Sequence, residues 1–167
     1  MKHTRYLTQG AVLAALYVAL TFAQNWIWPG SASMAVQFRI AECLMVMALY
    51  TPAAIAGLTL GCFLFNLTWA QALPLDWLVG SLATLCAAWS MWMLGKKGHP
   101  WLALWMPAVW NGPLVGLELT FFLGKFTWGV FGFNILTVFL GEAAVLLTLG
   151  SLMVYVIQRR HLEQLFR

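Results

Sequence analysis

The sequence predicts an all-α integral membrane protein, a bundle of six transmembrane helices with both termini in the cytoplasm. Three observations carry this. Of 167 residues, 62% are hydrophobic and only 8% are charged, whereas an average soluble domain has roughly 25% charged residues. So few charges cannot cover a soluble fold, and the composition equally excludes a disordered chain or a disulfide-rich module. The apolar runs have the length of a bilayer crossing, about 20 residues, which leaves room for about six and none for a twelve-helix carrier or an attached ATPase domain. Finally, the basic residues Lys2, Arg5, Lys96, Lys97, Arg159, Arg160 and Arg167 stand beside the ends of apolar runs, as in the cytoplasmic loops of a membrane protein. The net charge of +4 therefore reads as topology. No basic face with base-stacking groups appears, so a nucleic-acid partner is not expected.

The expected spans run approximately over 6–23, 36–50, 52–70, 75–94, 101–123 and 130–157. The first follows Lys2 and Arg5 and ends before a loop holding Pro29, Gly30, Ser31 and Ser33, with Trp26 and Trp28 as interface aromatics. The stretch from Arg39 to Ala70 permits one span or two. A turn at Tyr50-Thr51-Pro52, with Thr51 as N-cap and Pro52 at the first helical position, makes two. The basic residues choose two, because only then do all but Arg39 and Lys125 share one side. The second helix is then short: Arg39 to Tyr50 covers about 18 Å as an α-helix, so it must start earlier, tilt or be sheltered by neighbours. The fourth span ends at Gly95-Lys96-Lys97-Gly98. The fifth contains Pro107 and Pro113, and the sixth ends in a basic helical tail.

Ionisable groups inside spans are costly and ask for explanation. They are Arg39, Glu42, Asp76, Glu118 and Glu142, with Asn66, Asn111 and Asn134 as neutral partners. In the six-span arrangement Arg39 and Glu42 open the second span from the outer side, one turn apart. Asn66 closes the third span and Asp76 opens the fourth at that surface. Glu118 lies near the outer end of the fifth, with Asn111 seven residues before it on the same face. Glu142 sits about 18 Å along the sixth helix, on the face of Asn134. Polar groups from five spans thus gather in the outer half, as at a site for a small polar ligand. Four carboxyls and one arginine suit a ligand rich in N–H donors, such as an amidine-like or guanine-like ring, whose edge a carboxylate grips side by side. Trp77, with Trp69 and Trp128, offers an indole for stacking.

Plainer roles are open for several of these residues. Arg39 and Glu42 suit an intrahelical ion pair, Asp76 an N-cap, and Asn66 and Asn134 interhelical glue. Ala11, Ala15 and Ala19 form a small-residue strip that lets another helix approach, as do Gly57 with Gly61 and Gly112 with Gly116. The glycine pairs suit packing within the bundle and the alanine strip suits a partner subunit. Gly95-Lys96 and Gly124-Lys125 lack the upstream glycine of a phosphate loop. The three histidines lie in termini or loops, and the isolated Cys43, Cys62 and Cys86 have no metal-like spacing. Hence no catalytic residue, metal or cofactor is expected, although Glu118 and Glu142 as acid and base of a small membrane enzyme is a rival reading.

The stretches Val36-Gln37-Phe38-Arg39-Ile40-Ala41-Glu42, Gly57-Leu58-Thr59-Leu60-Gly61-Cys62, Asp76 with Gly80-Ser81-Leu82-Ala83-Thr84-Leu85, and Val115-Gly116-Leu117-Glu118-Leu119 resemble the QueT family. Its members are substrate-binding S-components of energy-coupling-factor (ECF) transporters for queuosine precursors. The resemblance implies a six-helix S-component in a bacterial cell membrane. It would capture a deazaguanine base such as preQ0, preQ1 or queuine on the outer side. The implied substrate-binding residues are Arg39, Glu42, Asn66, Asp76, Trp77, Asn111, Glu118 and Glu142. Ala11, Ala15 and Ala19 would dock on the membrane-embedded coupling subunit EcfT, which works with two cytoplasmic ATPase subunits.

Overall fold

The computed structural model describes residues 2–31, 38–69, 72–123 and 126–166. Among them every regular element is helical: α1 (Lys2–Ile27), a 3₁₀ segment (Ile40–Leu49), α2 (Ala53–Thr68), α3 (Asp76–Lys96), α4 (Pro100–Ala103), α5 (Met106–Leu123), α6 (Trp128–Val145), a π turn (Leu146–Gly150), α7 (Ser151–Arg159) and a short 3₁₀ tail (Leu162–Phe166). His3–Ile27, Asp76–Lys96 and Trp128–Arg159 are long and apolar enough to cross a membrane. Large apolar side chains cover the outside, among them Leu7, Trp26, Phe121 and Phe133. A soluble monomer rarely exposes so much apolar surface, and this chain is a membrane protein.

Several helix limits differ from the expected ones, each for a physical reason. The first helix runs from Lys2 to Ile27, beyond both ends of the expected 6–23. Asn25 inside it donates to the Thr21 carbonyl at 2.9 Å, and the chain turns only at Pro29 and Gly30, where Gly30 has φ 82°. The expected fifth helix is broken: α4 stops at Ala103 and α5 restarts at Met106. Pro107 has no N–H to give to the Ala103 carbonyl and its ring crowds that oxygen, so a continuous α-helix cannot pass. The sixth helix runs on to Arg159 but contains the π turn, one residue out of α register. Residues 36, 37, 70, 125 and 167 of the expected elements lie outside the described residues.

The short second helix is both sheltered and stretched. Apart from Glu42, Ile40–Leu49 is apolar, and Ala41 through Ala48 are buried, as expected of a helix that is hydrophobic nearly all round. As a 3₁₀ helix its ten residues reach roughly 20 Å, against about 15 Å in α form. Its start is tied down by Gln24 of α1, whose Oε1 accepts from Ile40 N at 2.8 Å and whose Nε2 donates to Ser31 Oγ and the Phe38 carbonyl. Beyond its far end Thr51 Oγ1 accepts from Ala53 N at 3.3 Å and closes the turn into α2, whose N-cap position falls to Pro52 and not to the expected Thr51.

Backbone contact through small residues joins α1 to α2. A Cβ on Gly57 would lie 2.5 Å from the Gly10 carbonyl oxygen, and one on Gly61 would meet Tyr17 and Ala14. The Gly116 position likewise abuts Ile135 of α6. These glycines therefore pack inside the bundle, whereas Ala11, Ala15 and Ala19 face outward. The bundle has two distinct ends. At one, Tyr6 donates to the Pro52 carbonyl, Thr51 to Gln9, Gly95 abuts Leu49, and Phe166 packs on Tyr50. This end gathers the start of α1, the end of α3 and the chain's tail. The polar residues described next lie toward the other.

Candidate functional site

Tyr17 of α1 is wholly buried, and its hydroxyl donates to Glu42 Oε1 of the 3₁₀ segment at 2.5 Å. Arg39, at the start of that segment, reaches α2, where its Nη2 donates to Asn66 Oδ1 at 3.3 Å and its Nη1 approaches Cys62 Sγ at 3.6 Å. The Asn66 amide nitrogen donates in turn to the Asp76 carbonyl at 2.9 Å. One asparagine thus fixes both the guanidinium and the first turn of α3. Asp76 Oδ2 accepts from Leu73 N at 2.9 Å, closing the turn that leads into α3; the N-cap position falls to Leu75, so Asp76 is the first helical residue and not the expected cap.

Two carboxyl pairs result, with Arg39 in electrostatic reach of both. Glu142 of α6 lies in electrostatic reach of Glu42, and Glu118 of α5 in hydrogen-bonding reach of the Asp76 side chain. Glu42 and Glu142 are each 1% exposed, Asp76 3% and Glu118 4%. Among the described residues Glu42 Oε2, Glu142 Oε2 and both oxygens of Glu118 accept no hydrogen bond. A buried polar atom without a partner costs about 1–3 kcal/mol, and native proteins leave few of them. Their concentration at one place leaves a group of acceptors that no described residue engages.

The other expected residues fall less centrally. Asn111 is buried with Nδ2 unpartnered, a spare donor two helical turns before Glu118. Trp77 turns outward, its indole N–H donating to the Pro74 carbonyl and its ring set edge-on to Phe63. Trp128 is exposed among Phe126 and Phe131. Trp69 stacks on Phe65, with Phe22 edge-on to both. Asn134 donates to Thr120 Oγ1 at 3.0 Å and joins α5 to α6, as interhelical glue does. An apolar groove of about 900 Å³ lies elsewhere, between Thr4–Leu16 of α1, Leu44, Met47 and Met153.

Spacing arguments miss four residues of the cluster: Tyr17, Cys62, Gly80 and Thr84. Thr84 and Tyr17 both lie against Cys62. A Cβ on Gly80 would lie 2.7 Å from Asn66 Nδ2 and 3.8 Å from Arg39 Nη1, so the bare glycine makes room for the asparagine–arginine contact. Gly80 and Thr84 stand inside one of the family-like stretches, which is the signal that could have found them. Tyr17 stands in an alanine-rich run where a single large polar aromatic asks for a buried partner.

No curated protein and no solved structure matches the chain. The profile of the family described as QueT transporter matches residues 7–159, a stretch that holds both carboxyl pairs and Arg39, and the chain therefore belongs to the QueT transporter family.

Proposed function

We propose that this transporter-family protein is the substrate-binding S-component of an ECF transporter, and that the Arg39-centred cluster binds a deazaguanine base captured from outside the cell. The carrying observation is the set of unpartnered, buried carboxyl oxygens on Glu42, Glu118 and Glu142. A deazaguanine ring presents ring and amino N–H groups along its edges, and carboxylates accept such pairs side by side. The ring carbonyl would meet the Asn111 amide or Arg39. Asn66 holds Arg39, and Tyr17 holds Glu42, in place for this contact.

In this reading the chain crosses the bilayer six times and both termini lie in the cytoplasm, with the carboxyl pairs toward the outer face. The outward strip Ala11, Ala15 and Ala19 is a surface on which a coupling-subunit helix can lie closely, and ATP hydrolysis by the two associated subunits would drive uptake. Binding is tested with the purified chain in lipid nanodiscs and a series of deazaguanine bases. A raised melting temperature and saturable binding are expected, with Glu42→Gln and Glu142→Gln each weakening affinity about tenfold or more. No measurable affinity for any deazaguanine would sink the reading.

A further inference from the structure

We propose that the groove beside α1, a site apart from the carboxyl cluster, holds the acyl chain of an anionic phospholipid whose phosphate sits at the basic end of the bundle. The groove, about 900 Å³, opens between α1 and Met153 of α7, with Leu44 and Met47 of the 3₁₀ segment as its floor. Ligand sites span roughly 300–1,000 Å³, so its volume is that of a binding site. Its polar groups lie at one end. Thr4, Arg5, Thr8 and Gln9 of α1 line the mouth together with Thr51, whereas Val12, Leu13, Leu16 and Leu44 line the depth. At the mouth the tail supplies Phe166, which packs on Tyr50.

Length and charge choose the occupant. From Thr4 to Leu16 α1 rises about 18 Å, close to the half-thickness of a hydrocarbon core, roughly 15 Å. An acyl chain of one leaflet fits that length. A spanning helix of a second copy needs about 30 Å and would have the groove for only half of it. The start of α1 and the ends of α3 and α7 bring Arg5, Lys96, Lys97, Arg159 and Arg160 to this end of the bundle. Of the five acidic residues only Glu163 belongs here, 3.5 Å from His161. Juxtamembrane basic residues draw anionic headgroups, and a phosphate accepts strong hydrogen bonds from such cations. Gln9 Oε1 accepts from the Thr51 hydroxyl at 2.9 Å, so the Gln9 amide nitrogen is the donor left for a headgroup. Met47 and Met153 have unbranched, adaptable side chains, which suit contact with a chain of no fixed shape.

The test uses the full-length protein in nanodiscs of equimolar phosphatidylglycerol and phosphatidylcholine. Native mass spectrometry of the released protein is expected to show one retained phospholipid per chain. Phosphatidylglycerol should be favoured about fivefold, the scale of one basic residue at an anionic surface. Val12→Trp and Met153→Trp fill the groove from opposite walls and should each cut retention about fivefold or more, while Leu140→Trp, on an exposed face of α6, should leave it unchanged. Placement is read without a variant. Phosphatidylglycerol with a photoreactive group near its acyl terminus should label Leu44 or Met47, which are 8% and 7% exposed and out of reach of a chain lying on the outer surface. No retained lipid, equal retention of the two headgroups, or labelling confined to exposed helix faces overturns the proposal. Undiminished retention in both tryptophan variants does so too, as does a retained second copy of the chain in place of lipid.

Discussion

The Tyr17 hydroxyl leaves Glu42 a single open oxygen, and Gly80 leaves Asn66 the room to hold Arg39. Each contact can be removed by one atom or one methyl group. Tyr17→Phe strips the donor from a fully buried carboxyl oxygen and is expected to destabilise the protein by about 1–3 kcal/mol. The frozen geometry of Glu42 is lost with it, so binding of the base should weaken in the same titration. A Tyr17→Phe protein with wild-type melting and affinity would show that the 2.5 Å contact contributes nothing. Gly80→Ala places a methyl 2.7 Å from Asn66 Nδ2. Because Asn66 must then move, Arg39 loses its carbonyl partner, and ligand affinity should fall more than stability does. Arg39, Glu42, Asp76, Glu118 and Glu142 were legible in the sequence because charge in an apolar run is conspicuous. Tyr17 and Gly80 were not, since an aromatic or a glycine in such a run is ordinary and only its neighbour gives it a role.

At the scale of elements, the hydropathy pattern located each helix but not its form. Ile40–Leu49 has no apolar period to distinguish 3₁₀ from α, because every face is buried. Its start is tied to α1 through Gln24, and Thr51 just beyond its end is tied to Gln9 of α1. Pro107 was legible only as a proline inside an expected continuous span, and the break at Leu104 and Trp105 follows from the carbonyl four residues before it. The α1–α2 contact tests the packing directly. Gly57→Val drives its side chain into the Gly10 backbone, with even the Cβ at 2.5 Å from the carbonyl oxygen, and neither partner is a flexible side-chain end. Overpacking of this kind costs typically 1–3 kcal/mol. The expected result is a lowered melting temperature together with loss of the Tyr17–Glu42 contact, since Tyr17 lies two turns along the same face. Wild-type stability in Gly57→Val would contradict the close approach.

For the whole molecule, the two ends of the bundle differ in chemistry. One gathers Arg5, Lys96 and Arg159 near the tail, where Lys96 lies over Trp92 at 3.7 Å and Arg159 donates to the Tyr155 hydroxyl at 2.7 Å. The other carries the carboxyl pairs. The proposed sidedness predicts that Gly129→Cys, at a position with open space around it, reacts with a membrane-impermeant maleimide in intact cells. Lys97→Cys should react only after permeabilisation, and the reverse pattern would invert the topology. Coupling is separable from capture. Ala15→Trp fills the outward strip without touching the carboxyl pairs, so base binding by the purified chain should persist while cellular uptake falls about tenfold or more. Uptake at the wild-type rate would remove that strip from the docking surface.

The sequence by itself determined that the chain is helical and membrane-embedded, where its helices lie to within a few residues, and which charges require an explanation. Hydropathy and scarcity of charge are properties of composition and order, and they survive without coordinates. Only the tertiary structure decided that the four carboxyls gather within electrostatic reach of Arg39, that Asn66 holds the guanidinium, and that Tyr17 engages Glu42. Those facts depend on the rotation and pitch of helices distant in the chain. The 3₁₀ stretch and the backbone contact of Gly57 with Gly10 are products of packing, which no local pattern encodes.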